Sequence, residues 1–228
     1  MHSGLLGQVQ DGHTAFMPPS ASSETSSSVA TGASRSSQPP ASAVFVREGA
    51  AWSELSPLGG GNYRVRLGGI FRPAWMATLG SGLAERRISI DTVHAKRGHD
   101  GSWVAELALV ALEGASDPRG ISYIGLAGER AQIYTGDYTL ELDRYSLFES
   151  PDYGGTLLLE FEALDSLGLL GAMLSSLAAL GLFPIEMHIE THAARAHDFL
   201  WLCGTGASRP SPEAKQALER MLRKSHAL

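Results

Sequence analysis

Shifted by 94 residues, the second half of this sequence lies over the first, and no other feature restricts the fold as strongly. Pro118 and Pro212 stand at that spacing and both open predicted helices. The same shift, applied without gaps, pairs Leu83 with Leu177, Ala84 with Ala178, Ser81 with Ser175 and His94 with His188. Strand parity survives as well: Tyr63, Val65 and Leu67 fall on Leu157, Leu159 and Phe161. A slip of one residue would turn every strand side chain to the opposite face. Two copies of one α+β unit are therefore expected, against the alternative of two unrelated α+β pieces.

Each copy reads in the same order. Tyr63, Val65 and Leu67 alternate with Arg64 and Arg66 as a half-buried strand. Trp75, Met76, Leu79 and Leu83 recur at helical spacing within 74–86. Residues 88–96 and 103–112 read as strands joined by the turn residues Gly98-His99-Asp100-Gly101. Ser116-Asp117-Pro118 then predicts a helix to about Ala127. In the second copy the strands are 156–163, 185–189 and 195–203, with an apolar helix over 166–180. A last helix opens at Ser211-Pro212-Glu213 and runs to about Lys224. Residues 166–180 are apolar nearly all round, which demands a second buried contact beyond the helix's own sheet.

Outside the copies the chain is simpler. Residues 1–43 read as a disordered, Ser-rich tail: ten serines and Pro39-Pro40 lie between Ser20 and Ala43. Residues 44–61 read as a linker with an edge-strand candidate at Val44-Phe45-Val46 and a break at Gly59-Gly60-Gly61. The first unit spans 62–148, with a closing strand in 131–134 or 138–147, and the second spans 154–228. The second copy runs out of chain before a closing strand, so its sheet needs one from elsewhere or keeps an open edge.

Composition removes several function classes. A net charge of −6 without a Lys/Arg stripe argues against a nucleic-acid partner. The single cysteine, Cys203, permits neither an internal disulfide nor a Cys-rich zinc site, so a reducing, cytoplasmic compartment is expected. Residues 166–185 carry no charge and are long enough to span a bilayer, yet three glycines, Pro184 and two mid-segment serines favour a buried helix in a chain without a membrane partner. No Ser-His-Asp order, P-loop or dinucleotide fingerprint can be assembled, so a non-catalytic protein without cofactors is expected.

Asp165-Ser166-Leu167-Gly168-Leu169-Leu170 follows a strand and opens a helix. This stretch resembles the D-x-x-G-L-L turn of ACT domains. The resemblance continues through Leu177 to Leu182, Glu186 to Thr191 and Asp198-Phe199-Leu200-Trp201. It is closest to the paired ACT modules of nitrogen-signalling uridylyltransferases and to free-standing tandem-ACT regulators such as the glycine-cleavage repressor. The uridylyltransferase catalytic region has no counterpart here. The resemblance implies two tandem ferredoxin-like βαββαβ modules, antiparallel sheets with helices on one face, and a homodimer. It also implies a small effector, an amino acid above all, bound at Asp165–Leu170, and a signal passed to a partner protein. A module that keeps only the interaction role is the alternative.

Physically, Asp165 can cap the helix or bind an ammonium group, and Gly168 can admit a ligand or simply ease a tight turn. The first copy carries Phe71-Arg72-Pro73-Ala74 in the same place, replacing Asp165 by Phe71 and Gly168 by Ala74. That leaves it as a dimerisation and packing partner or an anion site at Arg72, with a simply solvated Arg72 the preferred reading. Three further features are weighed. His188, Glu190 and His192 share one strand face, with His197 across the hairpin, which could hold a metal or serve an enzyme; a solvent-facing polar strip is the alternative. Cys203 reads as a small hydrophobe. The outward Arg64 and Arg66 of the first copy oppose Glu160 and Glu162 of the second, so mutual attraction of the two open sheet faces is expected.

Overall fold

The computed structural model describes residues 50–129 and 140–226. The Ser-rich segment 1–43, Val44-Phe45-Val46 and the strand candidate 131–134 lie outside the described residues.

Alternation builds the strands. β1 (Trp52–Gly59) and β2 (Asn62–Gly69) form a hairpin, followed by α1 (Trp75–Glu85), β3 (Ile88–Arg97), β4 (Trp103–Ala111) and the short α2 (Tyr123–Gly128). The second half repeats the order: β5 (Arg144–Ser150), β6 (Thr156–Leu164), α3 (Leu169–Ala179), β7 (Phe183–His192), β8 (Arg195–Cys203) and α4 (Pro212–His226). The protein is α+β, with one antiparallel sheet of eight strands in the order β1-β2-β4-β3-β7-β8-β6-β5.

Two sheets were expected, and one is found. The difference lies in a single strand pair. β3 and β7, the inner edges of the two half-sheets, pair antiparallel from Thr92↔Glu190 to Lys96↔Glu186, with His94 opposite His188 at the centre. Those two histidines are also 94 residues apart, so the pairing coincides with the repeat. Both strands carry a register shift at the equivalent place, Ile90/Thr92 and Pro184/Glu186. An edge exposing unpaired N–H and C=O groups is satisfied by its own copy.

The outer edges close differently from the expected arrangement. Arg144–Ser150, which begins in the segment assigned to the first unit and overlaps its expected closing strand 138–147, pairs with β6 and so completes the second half. The first half is completed by β1, inside the 44–61 stretch read as a linker. β1 escapes pattern reading because only Leu55 of its inward positions packs on the core, while Ser53, Glu54 and Pro57 are exposed. Gly60 and Gly61 make the hairpin turn with φ of +61° and +83°, a left-handed region that glycine enters at little cost.

One core spans both halves. Val65, Leu67, Leu107, Val93, Met187, Ile189, Leu200, Leu159 and Phe161 are almost wholly buried on the helix-bearing face. The second contact required by the apolar segment 166–180 is α1. Where the helices cross, Gly80 and Gly171 meet: a Cβ on Gly80 would stand 3.5 Å from the Gly171 backbone, and one on Gly171 would stand 2.9 Å from Ser81 Oγ and 3.0 Å from Ser81 N. Among the described residues no helix is long and apolar enough to cross a membrane. Pro118 opens a 3-10 turn capped by Asp117, and α2 starts only at Tyr123, capped by Ser122. Ser211 caps α4 as expected, accepting from Ala214 N at 3.1 Å.

Within the chain the open sheet faces do not attract each other across a gap, because they are coplanar parts of one sheet. Arg64 and Arg66 pair with Glu106 at 3.3 and 3.4 Å. Glu160 takes His197 at 3.1 Å and Glu162 takes Arg144.

The helix crossing predicts a contrast. Gly171→Val forces apart two backbones and should cost about 1–3 kcal/mol in urea denaturation. Gly80→Ala meets only ordinary contact and gains helix propensity, so it should be neutral or slightly stabilising, by roughly 0–1 kcal/mol.

Candidate functional site

The corner between β6 and α3 is where the sequence placed a ligand, and three elements build it. β6 ends at Leu164, and the chain turns through Asp165, Ser166, Leu167 and Gly168 before Leu169 begins α3. Gly168 is the residue before the helix, with φ of +95°, so its left-handed backbone is a conformational demand of the turn. Ala74 occupies the same position before α1 with φ of +61°, so the first half makes the same turn at the cost of a strained alanine. Leu169 and Leu170 face inward and are buried, while Ser166 is exposed.

Asp165 does not cap α3. Its backbone N–H donates to Ala194 O at 2.9 Å, and its carboxylate accepts from Thr191 Oγ1 at 3.1 Å. Burial raises the Asp165 carboxyl above the ordinary carboxylate range and the charge of Asp91 adds to this, while the bonds from Thr191 and the Ser166 backbone oppose it.

A second carboxyl lies under the same corner. Asp198, at the helix-facing side of β8 between Ile189 and Phe161, is 1 % exposed. Its Oδ1 has no hydrogen-bond partner among the described residues. Burial, reinforced by the charge on Asp165, pushes its pKa up to about 8. A carboxyl left unpartnered in a core costs free energy unless something cationic or a proton satisfies it. Sequence reading named Asp198 only within a resemblance; its strand parity, shared with Ala196 and Leu200, was the signal that it points inward.

The cavity at this corner measures about 30 Å³, and its far wall is the first half: Gly80 and Ala84 of α1 with Ile88, Ser89 and Ile90 of β3. It has room for a water-sized group, such as an ammonium, with the rest of any ligand lying at the mouth over Ser166 to Gly168.

The histidine strip resolves into pairs. His188 Nε2 meets Glu186 Oε1 at 3.0 Å, and His197 Nε2 meets Glu160 Oε1 at 3.1 Å and Glu162 Oε1 at 3.8 Å. Glu190 and His192 are exposed. Among the described residues no group of three or more His, Cys, Asp or Glu is arranged to hold a metal ion. On this helix-free face, sequence reading missed a different cluster. Tyr153, held at φ of +56°, donates to the buried Glu186 carboxylate, which also takes Lys96 at 3.0 Å. Burial alone would raise Glu186, yet the bonds from Tyr153, Lys96 and His188 hold it below its ordinary range. Cys203 is buried and its thiol donates to Phe183 O at 3.3 Å; burial pushes its pKa up, away from thiolate chemistry.

Compared with known family models, characterised proteins and solved structures, the chain shows no significant match.

Asp198 predicts a pH dependence. Its folded pKa lies above the unfolded value of about 4, so the folded state holds a proton that the unfolded state releases. Stability is fully present below about pH 4 and is lost as pH rises toward about 8, by at most ~1.4 kcal/mol per pH unit. Thermal melts between pH 5 and 8 should show Tm falling, and Asp198→Asn should flatten that slope.

Proposed function

We propose that this protein is a non-catalytic regulator built from two ferredoxin-like, ACT-type units that senses a small amine-bearing effector, an amino acid, at the Asp165–Leu170 corner. The carrying observation is where that corner lies. The carboxyl that lines it, Asp165, comes from the second half, as does the buried Asp198 whose charge couples to it, while the wall facing Asp165 is α1 and β3 of the first. A cation held there touches both halves of the molecule. Its binding therefore favours whichever arrangement of α1 against α3 offers the better contacts, and differential affinity of that kind is what an allosteric signal requires.

The strand order supports the two-unit reading. Each half runs edge hairpin, helix, hairpin, helix, in the spatial orders β1-β2-β4-β3 and β5-β6-β8-β7. A ferredoxin-like unit places its last strand beside its first. Here the strand in that slot precedes the unit instead of following it. The same permutation in both halves lets each unit end on a helix.

A second reading, a module that only joins proteins, draws on the first corner. Phe71 stands where the second half has Asp165, and Ala74 keeps the left-handed backbone of that turn without its acidic side chain.

Thermal shift against the twenty amino acids separates the two readings. An effector at 100 times its Kd adds about 2.7 kcal/mol, several degrees for a chain of this size. The expected result is a shift for one or a few amino acids that disappears in Asp165→Asn and shrinks in Thr191→Val. A flat panel with the natural sequence overturns sensing at this corner and leaves the interaction module.

A further inference from the structure

Beyond the Asp165 corner, the largest unclaimed chemistry lies at the other end of the β3–β7 seam. There, next to Arg97 at the end of β3, a half-open cleft of about 90 Å³ separates the first corner from the end of β8, three times the volume of the Asp165 cavity. Its walls are aromatic and aliphatic: Phe71, Trp103, Phe183 and Pro184. The wall is braced from behind. The Phe71 and Trp75 rings stack at 4.8 Å, and Trp75 meets Trp103 edge-on at 5.3 Å, so the cleft's aromatic side is already ordered before any ligand arrives.

One charge enters this lining. Arg97 is half-buried, and among the described residues its guanidinium has no ion pair and no hydrogen bond. It stands apart from its neighbour Lys96, which is paired to Glu186. No carboxylate lines the cleft. Cys203 in its floor is a neutral thiol committed to Phe183 O, and offers Arg97 no counter-charge. Arg72, read from the sequence as solvated with an anion site as the alternative, is exposed and does not line the cleft.

A guanidinium is a planar fork of donors that matches a carboxylate edge, and an apolar wall beside it repays an apolar tail rather than a hydrated head. We propose that this cleft is a second ligand site, distinct from the Asp165 corner, which takes a short apolar monocarboxylate with its carboxylate on Arg97 and its tail against Phe71, Trp103 and Phe183. The absence of a carboxylate from the lining selects acids without an α-ammonium group. The branched-chain and arylacetic acids, and their 2-oxo relatives, are the chemical class that fits.

Isothermal titration of the full chain with isovalerate and phenylacetate tests this, with isovaleramide and inorganic phosphate as comparisons. Saturable binding of the two acids is expected, with no binding of the amide and much weaker binding of phosphate. Arg97→Gln should weaken the acids about tenfold or more, the loss of a charge-assisted pair. Phe71→Ser should weaken phenylacetate more than isovalerate. Asp165→Asn should change neither, which keeps this result separate from amino-acid sensing at the other corner. Failure of both acids to bind, equal binding of the amide, or unchanged binding in Arg97→Gln overturns the site. Phosphate binding as tightly as the acids overturns the carboxylate assignment in favour of a bare anion site. Should Arg97→Gln lower Tm by many degrees, Arg97→Lys and the acid–amide comparison with the natural sequence decide the question.

Discussion

The β3–β7 pair is the constraint on which the rest of the structure depends. Each half-sheet has an inner edge, and an unpaired edge is a liability in water. Pairing the two edges through residues at the repeat's own spacing merges two sheets into one of eight strands and fixes their relative direction. Once that direction is fixed, α1 and α3 are brought together above the seam. They can approach only because glycines stand at the crossing. The Asp165 corner and the Arg97 cleft then form where a connection of one half lies against a β3 or β7 end of the other.

The two halves share one order of elements while the chemistry of their ends differs. Gly168 and Ala74 make the same left-handed turn before α3 and α1. Around the first turn the sequence places Phe71, Trp103 and Arg97; around the second it places Asp165 and Asp198. One end is therefore apolar with a cation unpaired among the described residues, the other acidic with a buried carboxyl. The central row of the open face keeps the symmetry more closely, with the His94 and His188 rings 5.2 Å apart across the seam.

Much of this was legible in the sequence. Period-two alternation identified β2, β3, β6, β7 and β8, and the apolar periodicity of 75–83 and 166–180 identified α1 and α3, because those elements bury one face against the core. β1 and the proper place of β5 were not legible. Both are outer edge strands with few inward apolar residues, and which half an edge strand joins depends on pairing partners distant in the chain. The role of Asp165 shows the same division. Its position at a strand-to-helix corner could be read directly, but its choice of Thr191 over the helix N-terminus depends on how β7 lies beneath it.

The sequence by itself determined the recurring order of elements and the strand parity, since these follow from local propensity and from which side chains avoid water. Tertiary structure alone decided that the two halves share one sheet, that Glu186 is buried on an otherwise open face, that Asp198 Oδ1 has no partner among the described residues, and that Arg97 rather than Arg72 faces a cleft. Each of these depends on what stands opposite a residue across a gap in sequence of tens of residues. Periodicity records which way a side chain points, and only packing decides what it meets.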